Sequence, residues 1–374
     1  MKPPTVLAAL LLLTLFPGQT LQASARADSL SIKIGQMLMI GFRGMTVDDA
    51  PEIVGDIRSR HIGGVVLFDY DMPLKSPVRN IGSREQLSKL TTGLQQLSDI
   101  PLFIAIDQEG GKVNRLKASK GFPQSVSAAH LGMLDNPDST EAAARKTAAT
   151  MKSMCMNMNL APVLDLNVNP DNPVIGRLGR SYSADPAIVA RHAMLTAAAF
   201  REEGIIPVFK HFPGHGSSET DTHKDFTDVT GSWTEKELEP YRAMIDAGYN
   251  DAVMTAHVFN RKLDSRFPAT LSKKVLDDRL RQQLGFGGVI LSDDMQMQAI
   301  AGHYGLEKAV RLAVEAGVDI LLFGNNTAYD PDIAEKASSI LHRLVKEGTI
   351  SKARIDRSYH RIMKLKERFI YYCK

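Results

Sequence analysis

The chain has 374 residues, 44% hydrophobic and 23% charged, with a formal net charge of +3. That composition describes a globular chain with a large core, and a charge so near balance gives no electrostatic case for nucleic acid or an anionic membrane surface. Two cysteines, Cys155 and Cys373, make no disulfide framework, and two free thiols are expected.

Residues 1–27 read as an export signal. Lys2 supplies a short positive region, and residues 6–16 (VLAALLLLTLF) form an apolar run of eleven. Such a run is too short to cross a bilayer and suits a signal-peptide core. An uncleaved anchor is the alternative. Cleavage options follow at LQA–Ser24 and ARA–Asp28, and no cysteine after the run offers a lipid attachment point. The expected location is the periplasm or beyond, with no membrane association after cleavage. About 345 residues remain without a low-complexity tract or Ser/Gly linker, so residues 28–374 are read as one catalytic domain.

Short apolar runs without polar alternation predict strands covered on both faces at 37–40, 64–68, 102–106, 158–163, 205–209, 252–256, 289–291 and 320–323. Helical spacing of apolar residues predicts helices at 85–97, 140–154, 186–201, 235–247, 273–284, 306–316, 332–346 and 352–369. Ser232 with Glu235 fits a capping box, and Gly248 and Gly317 sit where helices should stop. Eight strands alternating with helices is the count of an α/β (β/α)8 barrel, with a doubly wound open sheet as runner-up. The loops favour the barrel, because polar residues follow the third, fifth, sixth and seventh strands, whereas an open sheet gathers them at one switch point. Neither GxGxxG nor GxxxxGK occurs.

The fifth predicted strand opens into KHFPGHGSSETDTHKD, carrying Lys210, His211, His215, Asp221 and His223 within about fifteen residues. The third ends in IDQEGGKVNRL, with Asp107, Glu109 and Arg115 around a double glycine, aimed at a polar ligand or pairing to hold a loop. NPVIGRLGRSYS holds Arg177 and Arg180, one of which reaches the site while the other is a solvated charge. His257 after the sixth strand either lines the cavity or is a satisfied rim histidine. After the seventh, only one of Asp293 and Asp294 should face the centre, because adjacent residues point to opposite sides. The other should cap the next helix.

His211, His215, Asp221, His223 and Asp225 invite a zinc reading. Pro213 and Gly214 remove the helical HxxxH geometry, however, and Asp221-Thr222-His223 looks like a histidine oriented by its neighbour. No metal and no other cofactor is expected. What remains fits retaining glycoside hydrolysis, with Asp293 as nucleophile and His223, backed by Asp221, as proton donor.

KHFPGHG followed by DTH, with IDQEGG and SDD at strand ends, resembles glycoside hydrolase family 3 in its single-domain β-N-acetylglucosaminidase branch. The resemblance covers nearly the whole chain after the signal. It implies an often irregular barrel, Asp293 as nucleophile through a glycosyl-aspartate intermediate, and Asp221–His223 as the acid/base dyad on a mobile loop. It further implies that Asp107, Arg115, Arg180, Lys210 and His211 hold the terminal N-acetylglucosamine, with the parts of Arg177 and Arg180 open to exchange. The implied protein is an exported exo-β-N-acetylglucosaminidase, expected as a monomer, acting on peptidoglycan fragments or chito-oligosaccharides. Phosphorolysis, β-glucosidase activity and an idle sugar-binding protein are the alternatives.

Overall fold

The computed structural model describes residues 29–369, so the expected export segment and Cys373 lie outside the described residues. Eight parallel strands form one sheet: β1 Leu38–Gly41, β2 Gly64–Leu67, β3 Phe103–Ile106, β4 Met158–Asn159, β5 Ile206–Phe212, β6 Ala252–Thr255, β7 Val289–Leu291 and β8 Leu321–Phe323. Their order is β7-β6-β5-β4-β3-β2-β1-β8. The seam between β7 and β8 is joined by a single bridge, Leu291 opposite Ile320. There Ser292 donates its N–H to Ile320 O at 2.9 Å, and its hydroxyl accepts the Leu322 N–H at 2.9 Å. The result is a nearly closed (β/α)8 barrel.

Every strand is buried along its length, which is why each reads as a continuous apolar run. Where β1 meets β8, a Cβ at Gly41 would lie 1.9 Å from Gly324 O, so only glycine fits the seam. The helices are α1 Leu30–Gln36, α2 Pro51–Arg60, α3 Arg84–Gln96, α4 Ala128–Leu134, α5 Pro137–Lys152, α6 Pro186–Glu202, α7 Glu239–Asp246, α8 Gln298–Tyr304, α9 Leu306–Ala316, α10 Ile333–Lys346 and α11 Lys352–Phe369. Several start where the sequence supplies a cap. Ser83 accepts the Gln86 N–H before α3, and Asn136 and Asp185 cap α5 and α6 ahead of a proline in the first turn. Among the described residues, no helix is long and apolar enough to cross a membrane.

Four details depart from the sequence reading. The fourth strand is regular only over Met158–Asn159 and continues as irregular pairing, with Leu160 N–H on Ile106 O at 2.9 Å, Val208 N–H on Ala161 O at 3.0 Å and a single bridge between Val163 and Lys210. The capping box at Ser232 is not formed: a 3-10 turn Glu235–Leu238 begins after Thr234, without a side-chain cap. The segment Lys274–Gln283 is wound as a π-helix. Cys155 is disulfide-bonded, which corrects the expectation of a free thiol there.

Candidate active site

The polar residues converge above the carboxyl ends of the strands. β5 runs on to Phe212, so Lys210 and His211 are still strand residues, 1% and 6% exposed. Lys210 Nζ lies 2.7 Å from Asp107 Oδ1, just beyond β3, and 2.7 Å from Glu109 Oε1. Arg180 completes the cluster with a two-pronged bond to Glu109, Nε to Oε2 at 2.8 Å and Nη2 to Oε1 at 2.7 Å. Two acids face two cations, which is how buried charge is tolerated. Burial alone would raise the Glu109 carboxyl, but Arg180 and Lys210 outweigh it and hold it well below the usual range. Lys210 and Arg180 are raised in turn, their acids overriding desolvation. Arg115 stands further off, 3.6 Å from Asp107 Oδ2. Arg177 is the solvated member of its pair, 65% exposed at its side chain.

Asp165, after β4, braces the neighbouring histidine. Its Oδ2 accepts from His211 Nδ1 at 2.6 Å, and its Oδ1 accepts the backbone N–H groups of His211 (3.2 Å) and His215 (2.8 Å). The ring of His211 is thereby fixed with Nε2 toward Arg180, 3.3 Å from Nη2. The glycines of PGHG allow this packing. Gly214 takes φ 121°, and a Cβ at Gly216 would sit 1.7 Å from Leu166 O.

Asp293 leaves β7 toward the same opening. Burial opposes its ionisation, yet His257, His211 and His223 together with the Asp294 N–H outweigh that cost and hold it at about 2. Asp294 turns aside. Its Oδ1 accepts from Gln296 N at 3.0 Å and Gly324 N at 2.9 Å, so it ties the β7 and β8 exits together instead of capping α8, correcting the expected cap. His257 is fully buried with both ring nitrogens engaged, by Thr270 Oγ1 (2.8 Å) and Asp294 O (2.9 Å). It is a satisfied rim histidine whose field also reaches Asp293.

The remaining pair sits on the loop after β5. Asp221 Oδ1 accepts from His223 Nδ1 at 2.8 Å and from the His223 backbone N–H at 2.9 Å. This leaves Nε2 free to exchange a proton. Burial lowers the ring's basicity, but the Asp221 bond and the Asp293 charge overcome it, so His223 is raised above the ordinary imidazole value. Among the described residues, no group of three or more His, Cys, Asp or Glu is placed to hold a metal ion. His215, one member of the zinc reading, has both ring nitrogens on hydroxyls, Ser218 Oγ at 2.8 Å and Thr222 Oγ1 at 3.1 Å.

All eight residues singled out from sequence therefore gather at one end of the barrel. Asp107, Arg180, Lys210 and His211 form one connected cluster with Arg115 at its margin, and Asp293 lies within the field of His223, which Asp221 holds. The sequence reading missed Asp165 and, although it placed Glu109 among the groups aimed at a polar ligand, did not count it among the site residues. A cavity of about 390 Å³ shares Glu109 and Arg180 with the site, while neither Asp293 nor His223 lines it.

Residues 29–365 match the profile of the glycosyl hydrolase family 3 N-terminal domain. The chain is 35% identical over 308 residues to a β-hexosaminidase of Nitrosomonas eutropha, covering 80% of this chain and 82% of that one. It is 30% identical over 350 residues to the β-hexosaminidase LpqI of Mycobacterium tuberculosis, covering 89% and 82%. A family 3 β-N-acetylglucosaminidase structure from Paenibacillus superposes with a TM-score of 0.83 at 36% identity, over 91% of this chain; this chain spans 62% of that longer one. With a match running through almost every described residue, the chain belongs to glycosyl hydrolase family 3 and is a glycoside hydrolase.

Proposed function

We propose that the protein is an exported, retaining exo-β-N-acetylglucosaminidase. The observation that carries this proposal is the pairing of an ionised Asp293 with a histidine that its own aspartate keeps basic, both at one barrel mouth. Asp293 attacks the anomeric carbon, and His223 protonates the departing oxygen. The same histidine then deprotonates the water that releases the sugar. Asp221 stabilises the imidazolium that enters the first step and forms again in the second. The cluster of Asp107, Glu109, Lys210, Arg180 and His211 offers charged donors and acceptors for the hydroxyls of a terminal sugar, with Arg115 at the edge. Selectivity for the 2-acetamido group is supported by the names of the relatives. Peptidoglycan fragments and chito-oligosaccharides are the substrates that export would make available.

The test is release of phenol from an aryl N-acetyl-β-glucosaminide and from the matching β-glucoside, each with and without phosphate. N-acetylglucosaminide turnover on the order of 10⁴ faster is expected, because an analogue lacking a recognised group leaves buried polar atoms unpaired. Equal rates on the two sugars would contradict the specificity. Accumulation of the sugar 1-phosphate would convert the enzyme to a phosphorylase.

A further inference from the structure

Between the two dyad residues sits a side chain of opposite character. Thr222 is 1% exposed, whereas the side chain of His223 beside it is 55% exposed. Two anchors hold it. Its hydroxyl lies 3.1 Å from His215 Nε2, and its carbonyl accepts the Ala299 N–H at 3.3 Å.

Each anchor has a physical reason. Burial pushes the His215 imidazole down to about 4, so the ring is neutral at ordinary pH and carries one N–H. Its other nitrogen faces Ser218, and a threonine hydroxyl both donates and accepts, so the Thr222 bond forms with either tautomer. Ala299 lies in the first turn of α8, whose N-cap, Met297, provides no side-chain bond. First-turn N–H groups lack partners inside their own helix, and the Thr222 carbonyl supplies one. Because α8 follows Asp293 by only a few residues, this bond ties the loop after β5 to the element leaving the nucleophile's strand. Further along the loop, Asp225 Oδ1 lies 3.2 Å from His303 Nε2, and Phe226 packs edge-on against His303 with ring centroids 5.7 Å apart. Both contacts again reach α8.

We propose that Thr222 is a positioning residue, the pin that sets the dyad over Asp293, with His215 and α8 as its seats and Asp225–His303 as an outer clamp. This rests on the assignment of Asp221 and His223 as the acid/base pair. A loop left free of the pin carries the same catalytic groups at the wrong distance, and a misplacement of about 1 Å costs up to roughly 10²-fold.

The experiment compares kcat/KM on chitobiose and on a dinitrophenyl N-acetylglucosaminide, whose leaving group departs without a proton. Thr222→Val keeps the shape of the side chain and removes its hydroxyl, whereas Thr222→Ser keeps the hydroxyl. Thr222→Val should lose about 10- to 100-fold on chitobiose and about twofold at most on the dinitrophenyl substrate, and Thr222→Ser should recover most of the loss. His303→Ala, at an exposed position that leaves the barrel intact, should show the same selective pattern at smaller size. Equal losses on both substrates, or no loss for either variant, would overturn the proposal. His223→Ala is run alongside. If it discriminates the two leaving groups and Thr222→Val does not, the pin alone is wrong; if His223→Ala does not discriminate, the dyad assignment beneath it is wrong.

Discussion

The strand-end cluster and the dyad loop do their positioning by opposite means. Lys210, Glu109 and Asp165 are buried at their side chains, follow or lie on strands, and are held by several bonds each, ion pairs for Lys210 and Glu109 and the His211 ring with two backbone N–H groups for Asp165. Asp221 and His223 sit on a loop, partly in solvent, and hold chiefly each other. The difference follows from what each group must do. A group that only orients a bound sugar gains from rigidity and desolvation. A group that gives and takes a proton in successive steps must remain near neutrality, which deep burial among fixed charges prevents. Asp293 lies between the two, at a strand end like the first and within the field of His223 like the second.

The comparison can be broken most severely at Asp293. Asp293→Ala removes the proposed nucleophile and should reduce kcat/KM on every substrate by on the order of 10⁵, whatever the leaving group, as for other covalent catalysts. A variant that kept its rate on aryl substrates alone would place Asp293 outside the covalent step.

Next in size is Lys210→Met in the rigid half. It leaves Asp107 and Glu109 short of a buried partner, and breaking such a pair costs about 3–5 kcal/mol. Urea denaturation should show that loss. A change below about 1 kcal/mol would mean the cluster behaves like a solvated surface pair.

Asp221→Asn sharpens the mobile half. The ring stays in place while the charge that stabilises the imidazolium goes. The rate should fall roughly 10-fold, short of the roughly 10²–10⁴-fold that loss of the whole acid–base group would cost. The alkaline limb of kcat/KM follows protonated His223, which Asp221 raises above the ordinary imidazole value. Without that carboxylate the limb should move to lower pH, and an unmoved limb would separate Asp221 from the proton transfer.

An effect on stability alone lies beneath the loop, at Glu237, whose Oε2 accepts the Gly216 N–H at 3.2 Å. Burial pushes this carboxyl up to about 8 from 4.5. The folded state therefore holds the proton more tightly than the unfolded chain across that window, and stability should fall as pH rises from about 4.5 to 8. Glu237→Gln should flatten that part of the Tm profile. Parallel profiles for the two proteins would show that Glu237 is ionised in the folded state.

The two halves also differed in how legible they were. All eight strands were found because burial on both faces writes an unbroken apolar run, and the main helices because one apolar stripe recurs along each. Short helices such as Leu30–Gln36 and Gln298–Tyr304 offer too few turns for a stripe to register. The dyad was readable because its partners are two residues apart. Asp165 was missed because its partner, His211, is distant in sequence, and an acid inside VLDLNVNP carries no local sign of its role. The cap expected of Asp294 failed for a related reason, since the strand-exit tie to Gly324 that it makes instead is invisible to local spacing.

The central claim is the division of labour between Asp293 and His223, and azide tests it most directly. Azide attacks the glycosyl-enzyme without needing a base, so His223→Ala turning over an aryl N-acetylglucosaminide should speed up on its addition and yield the β-glycosyl azide. An α-azide, or rescue of Asp293→Ala in place of His223→Ala, would contradict the assignment of the two roles.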